Sequence, residues 1–144
     1  MSNYRPKSAV RHVVHDYASL EMAGKHTQTG LPYPFNHYAE RTFLTHCRAL
    51  ADFFDPHRRD PRDLHANDFT VAPFSARLPT WKKLRDHIDK HLMHLTVGRL
   101  RTRRKWTGKP NKALLKEFRR EWDKFIKALK PRLKPLFEAE LKKY

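Results

Sequence analysis

Ten prolines divide the 144-residue chain into stretches of unequal length. A proline inside a helix removes a backbone hydrogen bond and clashes with the preceding turn, so helices must lie between these positions. Four proline-free stretches are long enough for helices, and none alternates apolar and polar residues over strand length, so no sheet is expected. The prolines stand at positions 6, 32, 34, 56, 61, 73, 79, 110, 131 and 135.

The expected helix boundaries follow from these prolines and from capping residues. Gly24 is expected to end the first helix, Asn36 to cap the second and Thr80 to cap the third. The predicted elements are helices over about 6–23, 36–55, 80–97, 111–130 and 135–143, with a long loop over 56–79.

The long stretches carry apolar residues at helical spacing. The clearest pattern belongs to the fourth helix, whose apolar residues fall within an arc of about 120° at roughly 100° per residue. These residues are Leu114, Leu115, Phe118, Trp122, Phe125, Ile126 and Leu129. Four amphipathic helices bury their stripes most economically in an all-α, up-and-down bundle, so we predict a single helical domain over 1–144.

The apolar pattern also predicts the environment of the single cysteine and of the long loop. Cys47 lies on the apolar stripe Phe43, Cys47, Leu50 and Phe54 of the second helix, and we expect it to be an inert core thiol. In the long loop, four apolar side chains are expected to anchor the chain to the bundle. They are Leu64, Phe69, Val71 and Phe74.

The charge of the chain is strongly positive and unevenly distributed. Lys and Arg number 31 against 15 Asp and Glu, a formal net charge of +16, and residues 98–144 alone hold 17 basic and five acidic residues. Such a field favours polyanions, above all nucleic acid.

One cysteine excludes an intramolecular disulfide and suits a reducing cytosol, and no apolar run approaches the ~20 residues of a membrane span. We therefore expect a cytoplasmic protein with no membrane contact.

The basic segment suggests a nucleic-acid surface. Arginine can donate a forked pair of hydrogen bonds to phosphate, while an exposed tryptophan can stack on a base, so we predict binding of nucleic acid. Two alternatives stay open: Trp106 anchors the turn in the core, or the charges form ordinary surface pairs such as Glu117–Arg120 and Glu121–Lys124. The candidate contacts are Arg99, Arg101, Arg103, Arg104, Lys105, Trp106, Lys116, Arg119 and Arg120.

Three histidines of the third helix, His87, His91 and His94, lie within about 60° on the helical wheel. Imidazoles four residues apart can chelate a transition metal, and His46 would be the fourth ligand. The alternative is that His91 is a core residue with one hydrogen bond. No CxxC or HExxH motif accompanies these residues, so we expect neither a metal nor a cofactor.

The segment LRDHIDKHLMHLT, residues 84–96, resembles the R-x(4–6)-H motif of HEPN-type domains, with Arg85 followed by His91. It also looks like an uncharacterised bacterial family with a helix of the form R-x-x-I-x-K-x-x-x-H-L-T, a register that selects His94. Upstream, LTHCRALADFF (44–54), DLHANDF (63–69) and a Pro–Thr–Trp helix start (79–81) fit the same likeness. The resemblance covers about residues 40–100.

The resemblance implies a helical bundle, commonly a homodimer, in a bacterial or phage setting. Many HEPN domains are metal-independent endoribonucleases, in which the arginine holds the scissile phosphate and the histidine assists attack by the 2′-hydroxyl. Carried over, Arg85 would be the phosphate clamp and His91 or His94 the acid or base. Other HEPN domains only bind, so the alternative is a non-catalytic structural or partner-binding bundle.

Overall fold

The computed structural model describes residues 6–57, 60, 62–93 and 108–144, and of residues 91–93 it describes the backbone alone. These residues fold into helices without a strand, which confirms the all-α prediction; their one extended pairing is an antiparallel bridge between Thr70 and Leu129. None of the described helices has the length and apolar character that crossing a membrane requires. The elements are α1 (Pro6–His26), α2 (Phe35–Phe54), α3 (Ala66–Phe69), α4 (Pro79–Met93), α5 (Asn111–Ala128), a 3-10 turn (Pro131–Leu133) and α6 (Lys134–Leu141).

The core is an aromatic cluster centred on Phe125 of α5. Its ring is fully buried, and six other aromatic rings lie with their centroids 5.3–6.4 Å away, mostly edge-on. Edge-to-face pairs at this separation add to the free energy gained by burying apolar surface. The rings belong to α2, the connection after it, α5 and α6, so one side chain joins four parts of the chain. They are Phe53, Phe54, Phe69, Phe74, Trp122 and Phe137.

The predicted apolar face of α2 is confirmed, since Phe43, Cys47, Leu50 and Phe54 are all buried. Burial, and then the nearby Glu117 carboxylate, raise the pKa of the Cys47 thiol well above its ordinary value. Because the thiolate is the reactive form, Cys47 is an inert core residue, as predicted.

Gly24 does not end α1, which continues to His26. A methyl group on Gly24 would lie 2.9 Å from the Phe43 ring, so the glycine allows α1 and α2 to approach closely. The backbone carbonyl of Gly24 accepts hydrogen bonds from the Thr27 hydroxyl at 2.7 Å and the Gln28 side-chain amide at 3.1 Å. The prediction mistook a close-packing glycine for a helix terminator.

The predicted caps of the next two long helices are also wrong. Helix α2 begins at Phe35, and the Asn36 side chain accepts a hydrogen bond only from the next residue, His37, at 2.7 Å. Helix α4 begins at Pro79, a favourable first helical residue, so Thr80 already lies within the helix. The free N–H groups of that first turn are bound instead by a carboxylate of α5.

The connection between α2 and α4 is fixed to the rest of the bundle. Phe69 and Phe74 are buried and Leu64 is half-buried, as predicted, whereas Val71 is 71% exposed. Val71 faces solvent because its segment pairs by backbone with the end of α5. There the Val71 N–H donates to the Ala128 carbonyl at 3.0 Å, and the Lys130 N–H donates to the Phe69 carbonyl at 2.9 Å.

Replacing Phe125 with alanine would remove the ring around which the aromatic cluster packs. We expect Phe125→Ala to lower the free energy of unfolding by about 3–5 kcal/mol, the usual cost of emptying a buried aromatic position. Urea unfolding followed by circular dichroism measures this change. Val71→Ala is the control and should change the same quantity by less than about 0.5 kcal/mol. Equal effects of the two substitutions would contradict the central role of Phe125.

Candidate nucleic-acid interface

Helix α5 turns two of its acidic side chains into the protein. Glu117 and Glu121, one helical turn apart, are 4% and 0% exposed. A buried carboxylate is costly unless hydrogen bonds or cations replace its hydration. The partners of these two groups explain how α4 and the segment before it are held.

Glu117 caps the start of α4. Its two carboxylate oxygens accept hydrogen bonds from the backbone N–H groups of Thr80, at 2.9 Å, and Trp81, at 3.0 Å. These N–H groups belong to the first turn of α4, where they have no partner within the helix. The partial positive charge at the start of a helix further stabilises a carboxylate there. Glu117 therefore positions the helix that carries Arg85.

Glu121 is held by two cations and a backbone group. It accepts hydrogen bonds from Arg120 Nε at 2.8 Å, Lys124 Nζ at 3.0 Å and the Arg77 N–H at 3.1 Å. Burial alone would raise the pKa of this carboxyl, but the hydrogen bonds from Arg120, Lys124 and Arg77 outweigh burial and hold it below its ordinary value. Of the two surface pairs named above, Glu121–Lys124 forms, with a buried carboxylate, whereas Glu117 binds the backbone of α4 rather than Arg120.

The inward acids leave the outer surface of the C-terminal part strongly basic. Residues 108–144 contain five acidic residues, of which Glu117, Glu121 and Glu140 are buried, so only Asp123 and Glu138 are exposed. Against these two, ten lysines and arginines are exposed in the same range. They are Lys109, Lys112, Lys116, Arg120, Lys124, Lys127, Arg132, Lys134, Lys142 and Lys143.

Three of these lysines form one stripe on α5, which we call the lysine stripe: Lys112, Lys116 and Lys127. They fall within about 60° on the helical wheel and span about 22 Å along the axis. All three are exposed, and within the described part of the chain their ammonium groups bind no other side chain or backbone group. Lys116 was a predicted contact, and the structure leaves it accessible.

Two other predicted contacts, Arg119 and Arg120, bind groups within the protein. Arg119 donates to both oxygens of Glu21 on α1, at 2.5 and 2.7 Å, and these hydrogen bonds lower the pKa of the Glu21 carboxyl. The Tyr17 hydroxyl also donates to Glu21, at 3.0 Å. Arg120 binds Glu121 and the Arg77 carbonyl. Both arginines therefore connect α5 to neighbouring segments, a role that the helical spacing of residues did not predict.

Arg85 lies at a cleft between the end of α2, the segment before α4 and the first turns of α4. The cavity has a volume of about 300 Å³. Within α4, Arg85 Nε lies 4.0 Å from Asp89, whose other oxygen lies 3.5 Å from Arg48 of α2. The charged and imidazole side chains that line the cavity are those of Asp52, Asp55, His57, Lys82 and Arg85. Sequence reasoning passed over His57, which follows Pro56 outside any periodic pattern.

Most of the other candidate residues lie outside the described part of the chain. His91 lies in α4, but its side chain is outside the described residues, as are His94, Arg99, Arg101, Arg103, Arg104, Lys105 and Trp106. His46, the proposed fourth metal ligand, binds Asp16 through Nδ1 at 2.9 Å. Across the described ranges, which include His87, no three His, Cys, Asp or Glu side chains are arranged to hold a metal ion.

A group of exposed aromatic side chains was not anticipated. Tyr33, Phe35 and Tyr38 lie at the start of α2 and are 81%, 60% and 61% exposed. None of the three lies on the apolar stripe of α2, but their exposure depends on tertiary contacts that the sequence pattern does not show. Compared with models of protein families, with curated proteins and with solved structures, the chain gives no significant match.

The low pKa of Glu121 gives its contribution to stability a defined pH dependence. A carboxyl whose pKa is lower in the folded than in the unfolded state stabilises the fold above its unfolded pKa, near 4.5. That contribution disappears as the pH falls through the folded pKa. We therefore expect the Tm of Glu121→Gln to fall less steeply than that of the wild type as the pH drops below 4.5. Thermal unfolding at a series of pH values measures both slopes.

Glu138→Gln is the matched control, because Glu138 is exposed on α6. Its Tm should follow the wild-type curve throughout. Parallel curves for Glu121→Gln and the wild type would show that the buried carboxylate does not contribute in this way.

Proposed function

We propose that the protein binds nucleic acid, with RNA as its expected ligand, through the basic outer surface of α5 and the residues after it. The observation that carries the proposal is the orientation of the acids. Three of the five acidic residues in 108–144 are buried and bind only Arg120, Lys124 and Lys143 among the exposed cations of that range, whereas Lys112, Lys116 and Lys127 have no carboxylate partner among the described residues. A surface of this kind attracts a chain of phosphates and releases the counterions bound to it.

The lysine stripe is the part of this surface best suited to phosphate. Lys112, Lys116 and Lys127 are exposed on one side of α5, and no described carboxylate pairs with them. The lysine ammonium group is a point charge on a flexible side chain and lacks the planar set of donors with which an arginine guanidinium recognises bases. This surface therefore favours binding with little sequence preference. The expectation of RNA, rather than DNA, rests on the resemblance to HEPN-type domains, as does that of a homodimer in a bacterial setting, whereas the cytoplasmic location is expected from the single cysteine.

Removing the three charges tests the proposal directly. We expect Lys112→Gln, Lys116→Gln and Lys127→Gln, combined in one variant, to weaken binding of a fluorescein-labelled single-stranded RNA. The slope of log affinity against log salt should fall in magnitude by about 2, because each lost phosphate contact to a single strand removes roughly 0.7. Fluorescence anisotropy at several salt concentrations measures both quantities.

The control variant removes an equal number of exposed charges elsewhere: Lys7→Gln and Arg11→Gln on α1, with Lys83→Gln on α4. It lowers the net charge by the same amount but leaves the lysine stripe intact. Both variants losing affinity equally would indicate attraction by net charge alone. No measurable binding by the wild type would reject the proposed function.

The cleft beside Arg85 supports a second candidate function, RNA cleavage. Arg85 and Lys82 line the same open cavity as the His57 imidazole and the carboxylates of Asp52 and Asp55, so a phosphate bound by the arginine would share the cavity with an imidazole. In the HEPN-like interpretation Arg85 holds the scissile phosphate and His91 or His94 assists the 2′-hydroxyl. Such a reaction needs no metal.

We expect any RNA cleavage by the protein to persist in a chelator and to be lost in Arg85→Ala. The reason is that the guanidinium would stabilise the charge that develops on the phosphate. Gel analysis of a labelled RNA measures the rate, and Lys83→Ala, on an exposed position of α4, is the control. Unchanged cleavage in Arg85→Ala, or in the double variant His91→Ala and His94→Ala, would eliminate this mechanism.

A further inference from the structure

A second cavity lies between α1, the end of α2 and the connection that follows α2. It has a wider compartment of about 250 Å³ and a narrower one of about 80 Å³, which borders the Arg85 cleft. Both compartments are lined by Asp52, Asp63 and His65, so they are parts of one depression, which we call the acidic cavity. No lysine or arginine of the described part of the chain lines either compartment, although the sequence contains 31 of them.

Carboxylates stand at both ends of the acidic cavity and between its compartments. The wider compartment extends to Asp16 of α1, one oxygen of which binds His46, and the narrower compartment extends to Asp55 and His57. Asp52 lies between them, and within the described ranges its carboxylate binds no other group. The cavity therefore collects negative charge in a protein whose formal net charge is +16.

The imidazole of His65 shows that the cavity lacks a hydrogen-bond donor. His65 is 5% exposed; its Nδ1 lies 3.2 Å from the Asp55 carbonyl oxygen, and its backbone N–H donates to the Asp68 carboxylate at 3.0 Å. Because a carbonyl oxygen only accepts, Nδ1 carries the proton in this contact and Nε2 presents a lone pair. Nε2 is buried and has no hydrogen-bond partner. Buried polar atoms in native proteins nearly always have one, so the ligand should donate a hydrogen bond here.

The lining of the cavity defines the chemistry of this ligand. Carboxylates and an imidazole lone pair are acceptors, and an ammonium group supplies both positive charge and N–H donors in several directions. In the described part of the chain no three such side chains converge as a metal ion requires. Acids at both ends of two connected compartments instead match a molecule with an ammonium group at each end.

We propose that the acidic cavity binds a small aliphatic diamine, with one ammonium group beside Asp16 and the other beside Asp55. Asp52 contributes negative charge to both positions, and Nε2 of His65 accepts an N–H of the ligand. The net charge of the protein repels a dication, so such binding requires the local carboxylates. The acidic cavity and the lysine stripe lie on different elements, so this inference does not rest on the proposed function.

The experiment is an NMR titration of the ¹⁵N-labelled protein with 1,4-diaminobutane and, as the matched ligand with one ammonium group, butylamine. The variants are Asp52→Asn, which removes a charge at an exposed position, and His65→Asn, which removes Nε2. Asparagine is a favoured N-cap, so His65→Asn preserves the start of α3. The control is Asp123→Asn, an exposed aspartate of α5 outside the cavity. Circular dichroism checks the folding of each variant.

We expect the wild type to bind 1,4-diaminobutane more tightly than butylamine, and the diamine to shift the ¹⁵N resonance of His65 Nε2. Asp52→Asn and His65→Asn should each weaken diamine binding by about tenfold, the usual effect of losing a hydrogen bond to a charged group. Asp123→Asn should bind as the wild type does.

Four results would overturn the proposal. They are the absence of diamine-induced shifts in the wild type, equal affinity for the two amines, unchanged diamine binding by Asp52→Asn, and shifts around the cavity with zinc chloride but not with the diamine. The last result would assign the cavity to a metal ion. If His65→Asn fails to fold, Asp52→Asn keeps the test decisive, because its side chain is exposed. RNA binding by the wild type has no bearing on any of these outcomes.

Discussion

Two buried carboxylates on α5 hold the start of α4 and the segment before it against the bundle. Glu117 binds the first turn of α4, and Glu121 binds the backbone of Arg77 just before that helix. Without these acceptors, the backbone donors at the start of α4 would be buried against α5 with no partner. Glu121 also binds the exposed side chains of Arg120 and Lys124, so the unpaired positive charge of α5 lies on Lys112, Lys116 and Lys127.

Much of the fold follows from the periodicity of apolar residues, because burial of a helix face depends on local spacing. The stripes on α2 and α5 predicted residues such as Phe43, Phe118 and Phe125, which are all buried. Details that depend on distant partners were missed. The hydrogen bonds of Glu117 and Glu121 reach residues 36 to 44 positions away in sequence. Gly24 is likewise explained only by the Phe43 ring, which local sequence cannot place against it.

The candidate site was predictable only to the level of charge. Composition indicated a basic surface in the last third, and the exposed Lys116 agrees with it. Which basic groups are free is a matter of tertiary contacts, since Arg119 binds Glu21, 98 residues away. Exposure of Tyr33 and Tyr38 is equally a tertiary property, because an aromatic residue in sequence is more often part of a core.

The arrangement of rings around Phe125 has a consequence for how the chain acquires its structure during synthesis. Four of the six rings packed on it come from residues 53–74, between 51 and 72 positions upstream. At the usual rate of translation, on the order of several seconds separate the appearance of those rings from that of their common partner. Over this interval Phe53, Phe54, Phe69 and Phe74 lack the side chain that covers them. Until α5 is made, these four side chains are apolar surface without their common partner, which a chaperone can bind.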